Sequence, residues 1–189
     1  MKTYKAEDFF ADIPVQDYIS RFRDSSRFME CCKACGNFGK SWGCPPFDLD
    51  QLEYLNQWRN VHLWAVKITP DEPGLPLSAC QDFIRPERIR VERAQLEMEK
   101  QYDGRSFAYV GKCLYCDSCT RPQGLPCRHP DLVRPSLEAF GFDIGKTLNE
   151  LFGIEIQWGR DNQMPPYLTL VSAFFHNSDT LPHNSCPNA

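Results

Sequence analysis

Four thiols packed into residues 113–127, CLYCDSCTRPQGLPC, constrain this chain more than any other feature. Their spacing is C-x2-C-x2-C-x7-C. Cysteines at i, i+3 and i+6 wrap around one small object, and the 120–126 loop is long enough to return a fourth sulfur. Thiolates in short runs of this kind hold iron–sulfur clusters. Zinc is the main competitor, although its sites more often pair two separated C-x2-4-C knuckles, or one knuckle with histidines. The run therefore predicts a metal centre on Cys113, Cys116, Cys119 and Cys127, with a [4Fe–4S] cluster ahead of zinc.

The rest of the composition narrows the setting. A chain of 189 residues suits a single domain with a sizeable buried core. A formal charge of -4 implies no broad basic surface for nucleic acid, although Arg121, Arg128 and Arg134 lie near the four cysteines. The opening MKTYKAEDFFADIPVQ carries Glu7, Asp8 and Asp12 and no continuous apolar core, unlike a secretory signal or a membrane anchor. No run of about eighteen apolar residues occurs, so no membrane-spanning helix is expected. Ten cysteines in a protein expected to be cytoplasmic sit in a reducing medium where disulfides are rare, which favours thiols kept for metal.

Periodicity predicts an α/β fold. Val15, Tyr18, Ile19 and Phe22 recur at helical spacing after Pro14, and Asp24-Ser25-Ser26 breaks that pattern. Asp48 with Gln51 resembles a capping box opening a helix through Leu52, Leu55 and Trp58. VHLWAVKI, residues 61–68, reads as a buried strand, and Pro86 as the start of the longest helix, ending at Asp103-Gly104. SFAYVG, residues 106–111, is a second strand, and a right-handed parallel βαβ unit is the expected connection. Asp143 caps a helix stopped by Gly153. Ile154, Ile156 and Trp158 alternate as in a strand, with residues 167–175 as its expected antiparallel partner. The prediction is one domain over residues 1–176: a mixed sheet of about four strands, flanking helices and cysteine-rich metal-binding loops. A loose polar tail is expected over 177–189.

A second cysteine group lies in ECCKACGNFGKSWGCPPF, residues 30–47. Gly36, Gly39 and Gly43 permit tight turns, and Pro45-Pro46 stiffens the exit. The alternative is a buried knot of inert thiols, since free cysteine is commonly buried. Adjacent Cys31 and Cys32 cannot readily both ligate one ion, so three ligands are expected here. Three ligands leave an open coordination position or take a fourth from elsewhere. GFDIGKT, residues 141–147, fails as a phosphate loop because Phe140 stands where glycine is needed.

The pairing of SWGCPPF with C-x2-C-x2-C and then CRHPDLVRPSLEAFGFDI resembles an uncharacterised bacterial and archaeal family of predicted metal-binding, cysteine-rich proteins. The resemblance runs from about Cys31 to Phe175 and implies metal without bringing a reaction. It matches Cys31, Cys35 and Cys44 in the first group and Cys113, Cys116, Cys119 and Cys127 in the second. Cys32 looks extra, and Cys80 and Cys186 fall outside both patterns.

Arg128, His129 and Arg134 follow the quartet. Cationic donors there can tune a cluster or bind an anionic group, whereas an Arg134–Glu138 ion pair ordering the loop is the structural alternative. Three functions remain open: an iron–sulfur protein serving a redox partner protein in electron transfer, a metalloenzyme acting on a small anionic substrate through an open metal site, and a zinc-stabilised interaction module. Neither nucleic acid nor a membrane is expected as a partner.

Overall fold

The computed structural model describes residues 3–107, 111, 113–179 and 181. Its sheet begins in the N-terminal stretch, for which the sequence suggested no element. Strand β1, Tyr4–Pro14, pairs antiparallel with β2, Asn60–Pro70, in a ladder from Tyr4↔Pro70 to Pro14↔Asn60. Charges hide β1 from a hydrophobicity reading, yet they suit its position. It is an edge strand, where charged side chains discourage pairing with other chains. Asp8 on β1 accepts from the Trp64 indole at 2.8 Å and from Arg90 at 2.7 Å, and Asp12 meets His62 at 2.8 Å.

Between β1 and β2 lie three helices: α1 (Val15–Phe22), α2 (Ser25–Ala34) and α3 (Gln51–Leu55). Helix α1 follows the predicted periodicity, with Val15, Tyr18 and Phe22 buried. Asp24 does not merely break that pattern. Its carboxylate accepts from the Arg27 N–H and so starts α2, which carries Cys31 and Cys32. The cap of α3 is Asp50, bound by the Leu52 and Glu53 N–H groups, rather than Asp48. Gln51 is thereby the first helical residue, and its side-chain amide donates to the Ala139 carbonyl at 2.9 Å.

Helix α4, Cys80–Gln101, connects β2 to β3, Gly104–Phe107. It starts before Pro86, which sits within it at the cost of one intrahelical N–H. Residues 108–110, the rest of the expected second strand, lie outside the described residues. Helix α5, Ile144–Phe152, has the predicted Asp143 cap and Gly153 stop, and β4, Leu168–His176, closes the sheet.

The strand order is β1-β2-β4-β3, and every neighbouring pair is antiparallel. The expected parallel βαβ unit is thus corrected. β2 and β3 do point the same way, but β4 lies between them and pairs with both. That also explains why residues 154–158 form no strand. With both edges of β4 taken, the alternating stretch cannot pair with it as expected. Ile154 and Ile156 pack against the core while Trp158 remains 73% exposed.

The two central strands are buried on both faces. Val61, Leu63 and Ala65 of β2 join Val171, Ala173 and Phe175 of β4 under α1 and α5. Trp64, Val66 and Ile68 join Leu168 and Leu170 under α4, against Phe83 and Val91. This period-two division makes a single domain of helices on both faces of one sheet.

His176, at the end of β4, is 4% exposed, and neither ring nitrogen has a well-placed hydrogen-bond partner. Burial, followed by the nearby His62, holds its pKa below the usual value against weaker opposing pulls from the Ser178 backbone and Asp12. The unfolded chain therefore takes up a proton that the folded state resists. The stabilising effect is full above a pH of about 6.5 and is lost as pH falls through the folded value. Urea unfolding at about pH 7.5 and about pH 5.5 will show a smaller acid-side loss for His176→Phe than for the native protein. Equal losses would contradict this account.

Candidate metal centre

The thiols lie on loops and on one exposed helix, so their placement depends on side-chain ties rather than a ladder. The segment 22–25, entering α2, runs beside 140–143. Asp24 N–H donates to the Gly141 carbonyl and Asp143 N–H to the Phe22 carbonyl, both at 2.8 Å, and Arg23 Nε donates to the Phe140 carbonyl. Gly141 has φ +88°, and a Cβ there would stand 2.6 Å from Ser25 Cα. Only glycine allows that approach, which seats the first turn of α2. The other anchor is Arg134. Its guanidinium grips Glu99 of α4 with bonds of 2.7 and 2.6 Å, and Glu99 also accepts from the Ser106 N–H. Burial pushes the Glu99 carboxyl up, but these donors outweigh it and leave its pKa below the usual value.

Arg121 joins the two cysteine segments. It donates to the carbonyls of Ser41, Cys44 and Pro46, and its guanidinium lies over the Trp42 ring. Trp42 in turn donates to Thr120 Oγ1 and the Leu125 carbonyl at 3.3 and 3.2 Å, and Thr120 Oγ1 donates to the Pro126 carbonyl. Gly43 completes the contact, since a Cβ there would meet the Arg134 carbonyl at 3.2 Å.

The result is two adjoining cavities. The smaller, about 100 Å³, is lined by Cys113, Cys116, Cys119 and Cys127, with Arg128 and His129 on its wall. The larger, about 460 Å³, is lined by Cys31, Cys32, Cys35 and Cys44 and again by Cys113. Cys32, which the sequence set aside, thus lies with the other three. Cys80, at the start of α4, lines neither cavity, and Cys186 lies outside the described residues. Every described cysteine is a free thiol.

Local hydrogen bonds prepare several sulfurs. The His129 N–H donates to Cys127 Sγ at 3.4 Å, the Tyr115 N–H bonds Cys113, and Ser41 bonds Cys44. Burial nevertheless pushes the thiols of Cys32, Cys44 and Cys113 above their ordinary pKa. Charge on Cys35 and Cys113 adds to the rise at Cys44, placing Cys44 electrostatically between the two groups. As the side chains lie, no three His, Cys, Asp or Glu residues among those described converge tightly enough to hold a single ion. The quartet instead surrounds a space.

The three cationic residues predicted beside the quartet separate. Arg128 donates to the Ser118 carbonyl at 3.2 Å and, with His129, faces the smaller cavity. Arg134 borders the larger one and pairs with Glu99; the pair weighed from sequence, with Glu138, does not form. Arg121 and Trp42 carried no readable signal of their roles, because their hydrogen-bond partners lie 75 or more residues away.

Replacing the Arg121 fork removes bonds that a lysine cannot reproduce. Arg121→Lys and Arg121→Ala will each destabilise the protein by about 1.5–3 kcal/mol and speed metal release to a chelator. Thermal unfolding and the release rate check this. A release rate equal to that of the native protein would rule out the staple.

No curated protein and no solved structure matches the chain. A family described as "Predicted metal-binding protein (DUF2284)" matches residues 14–172. That span takes in α1, β2, β3, the first part of β4 and every cysteine lining the two cavities, whereas β1 apart from Pro14 precedes it. The chain belongs to this family of predicted metal-binding proteins.

Proposed function

We propose that Cys113, Cys116, Cys119 and Cys127 hold a [4Fe–4S] cluster, that Cys31, Cys35 and Cys44 hold a second metal centre beside it, and that the protein passes electrons to or from a redox partner in the cytoplasm. The observation that carries this reading is the single small cavity lined by all four thiols of the quartet. A lone zinc ion needs its donors to converge at about 2.3 Å from one point. A cubane cluster takes one thiolate at each of four separated irons, which suits sulfurs arranged around a space. The donor set is all thiolate, the preference of iron–sulfur clusters.

When bound, such a cluster supplies reversible one-electron transfer. The chain's own residues set the conditions for it. The Tyr115 and His129 N–H groups donate to Cys113 and Cys127, and donors to cluster sulfurs raise the reduction potential. Arg128 places a positive charge on the same wall. Cys113 borders both cavities, so the second centre would lie next to the first with no intervening element of the fold. The free thiols of the described cysteines accord with a reducing compartment.

Iron, zinc and acid-labile sulfide in protein purified without oxygen test the reading, together with the visible spectrum. About four iron and four sulfide per chain are expected from one cubane cluster, and about eight if both groups carry one. Cys116→Ser will lower iron and sulfide at the quartet, whereas Cys44→Ser will spare about four of each. Zinc without sulfide would replace the redox reading with a zinc-stabilised module.

A further inference from the structure

The quartet cavity opens onto a face with a composition of its own. Trp42, on the cavity wall, is 37% exposed, and its indole donates to the carbonyl of Leu125, which is 54% exposed. Leu132, 38% exposed, lies in the turn closed by N–H bonds to the carbonyl of His129, another wall residue. Large apolar side chains grouped in water around one opening, unlike singly scattered ones, mark an interaction surface.

Charge sets this face apart as well. The chain carries a formal charge of -4, and along β1 and the helices its cations are commonly matched, as Lys5 is by Glu7, Arg21 by Glu150, Arg90 by Asp8 and Lys100 by Glu97. At the quartet the pattern changes. Lys40, exposed on the cavity wall, forms no ion pair among the described residues. Arg128, also exposed there, donates to the Ser118 carbonyl, and Arg121 donates to three carbonyls while lying over Trp42. Carbonyls satisfy N–H groups without cancelling the charge. Asp117 and Asp131 lie in the same loops, but neither lines the cavity, whereas Lys40 and Arg128 do.

We propose that this face docks a small electron-transfer protein through an acidic patch on that partner. The partner's carboxylates would meet Lys40, Arg121 and Arg128, and its apolar centre would cover Trp42 and Leu125. The proposal rests on the redox reading of the quartet and names the partner's chemistry: this chain is acidic as a whole, yet its partner is acidic where the two touch. Complementary charge steers encounter and fixes register. An aromatic centre with arginine beside it and a charged rim is also the composition that protein interfaces favour. The thiolate charge of a bound cluster lies within the cavity, while the cations stand at its mouth, where a partner meets them first.

Calorimetric titration of the full chain, purified without oxygen, with an acidic plant-type ferredoxin and with basic cytochrome c tests this. Total charge favours cytochrome c, whereas the docking face favours the ferredoxin. The ferredoxin should bind once per chain and at least about fivefold more tightly than cytochrome c at low salt. Raising the ionic strength from about 0.02 M to about 0.3 M should weaken it by about tenfold or more. Lys40→Glu should weaken the ferredoxin about fivefold and Leu125→Ser, which keeps the carbonyl that Trp42 uses, about threefold. Lys5→Glu makes the same charge change on β1, at the opposite edge of the sheet from β3, and should leave binding within about twofold. Tighter binding of cytochrome c, no binding of the ferredoxin, or equal losses in Lys5→Glu and Lys40→Glu would overturn the proposal. Iron and sulfide counted in the same samples separate the two readings. An iron-loaded chain that prefers cytochrome c refutes only the docking face, and a zinc-loaded chain that still binds the ferredoxin at Lys40 refutes only the redox reading.

Discussion

A loop keeps its shape only where its carbonyls and N–H groups find partners, and the two cysteine loops have no strand ladder to supply them. Arg121 supplies the critical ones. One planar guanidinium reaches three carbonyls of the 41–46 segment while lying over Trp42. Trp42 returns two bonds to the loop that carries Arg121. The tie is reciprocal, so neither segment can shift without disturbing the other. Everything proposed about the thiols follows from that mutual hold: the quartet around one space, Cys113 in both walls, and Cys44 close enough for charge on Cys113 to be felt there.

The loops reach the sheet through two further contacts of different character. Glu99 and Arg134 form a mostly enclosed ion pair at the end of α4, with the Ser106 N–H of β3 as an additional donor. Removing one member of such a pair costs more than the pair contributes, because the other charge is left buried. The second contact is backbone on backbone, where 140–143 runs beside 22–25 and Gly141 touches Ser25. Helix α2 has no buried residue of its own. Its position is therefore inherited from Gly141 at its first turn and from the turn bearing Glu138. The stretch RPSLEAFGFDI serves both ends: Leu137, Ala139, Phe140 and Phe142 enter the core while Arg134 and Gly141 place the cysteine segments.

What the sequence made legible divides along the same line. Local signals worked: the α1 periodicity, the buried β2, the Asp143 cap and the Gly153 stop depend on neighbours a few residues apart. Strand β1 was hidden because its charges satisfy distant partners, Asp8 with Trp64 and Arg90 and Asp12 with His62. The 154–158 stretch misled for the converse reason. Its alternation reports real burial of Ile154 and Ile156, but pairing also needs a free neighbour, and β4 has none. Strand order is likewise a long-range property. The crossover from β2 through α4 suggested adjacency, whereas β4, encoded last, enters between β2 and β3. At the site, cysteine spacing revealed which thiols belong together. It could not reveal that the two groups share a wall, because that depends on Arg121 and Trp42.

The buried thiols also give the chain's apo state a definite character. Burial and mutual repulsion raise the pKa of Cys32, Cys44 and Cys113, so without metal these positions are held as neutral thiols. A metal must displace those protons, and the thiolates it creates are stabilised by its own charge rather than by solvent. Metal binding and closure of the loops are thus one process: the ties through Arg121 bring the sulfurs within reach, and a bound centre repays the cost of enclosing them. The same enclosure acts on Glu138, where burial pushes the carboxyl pKa up to about 7.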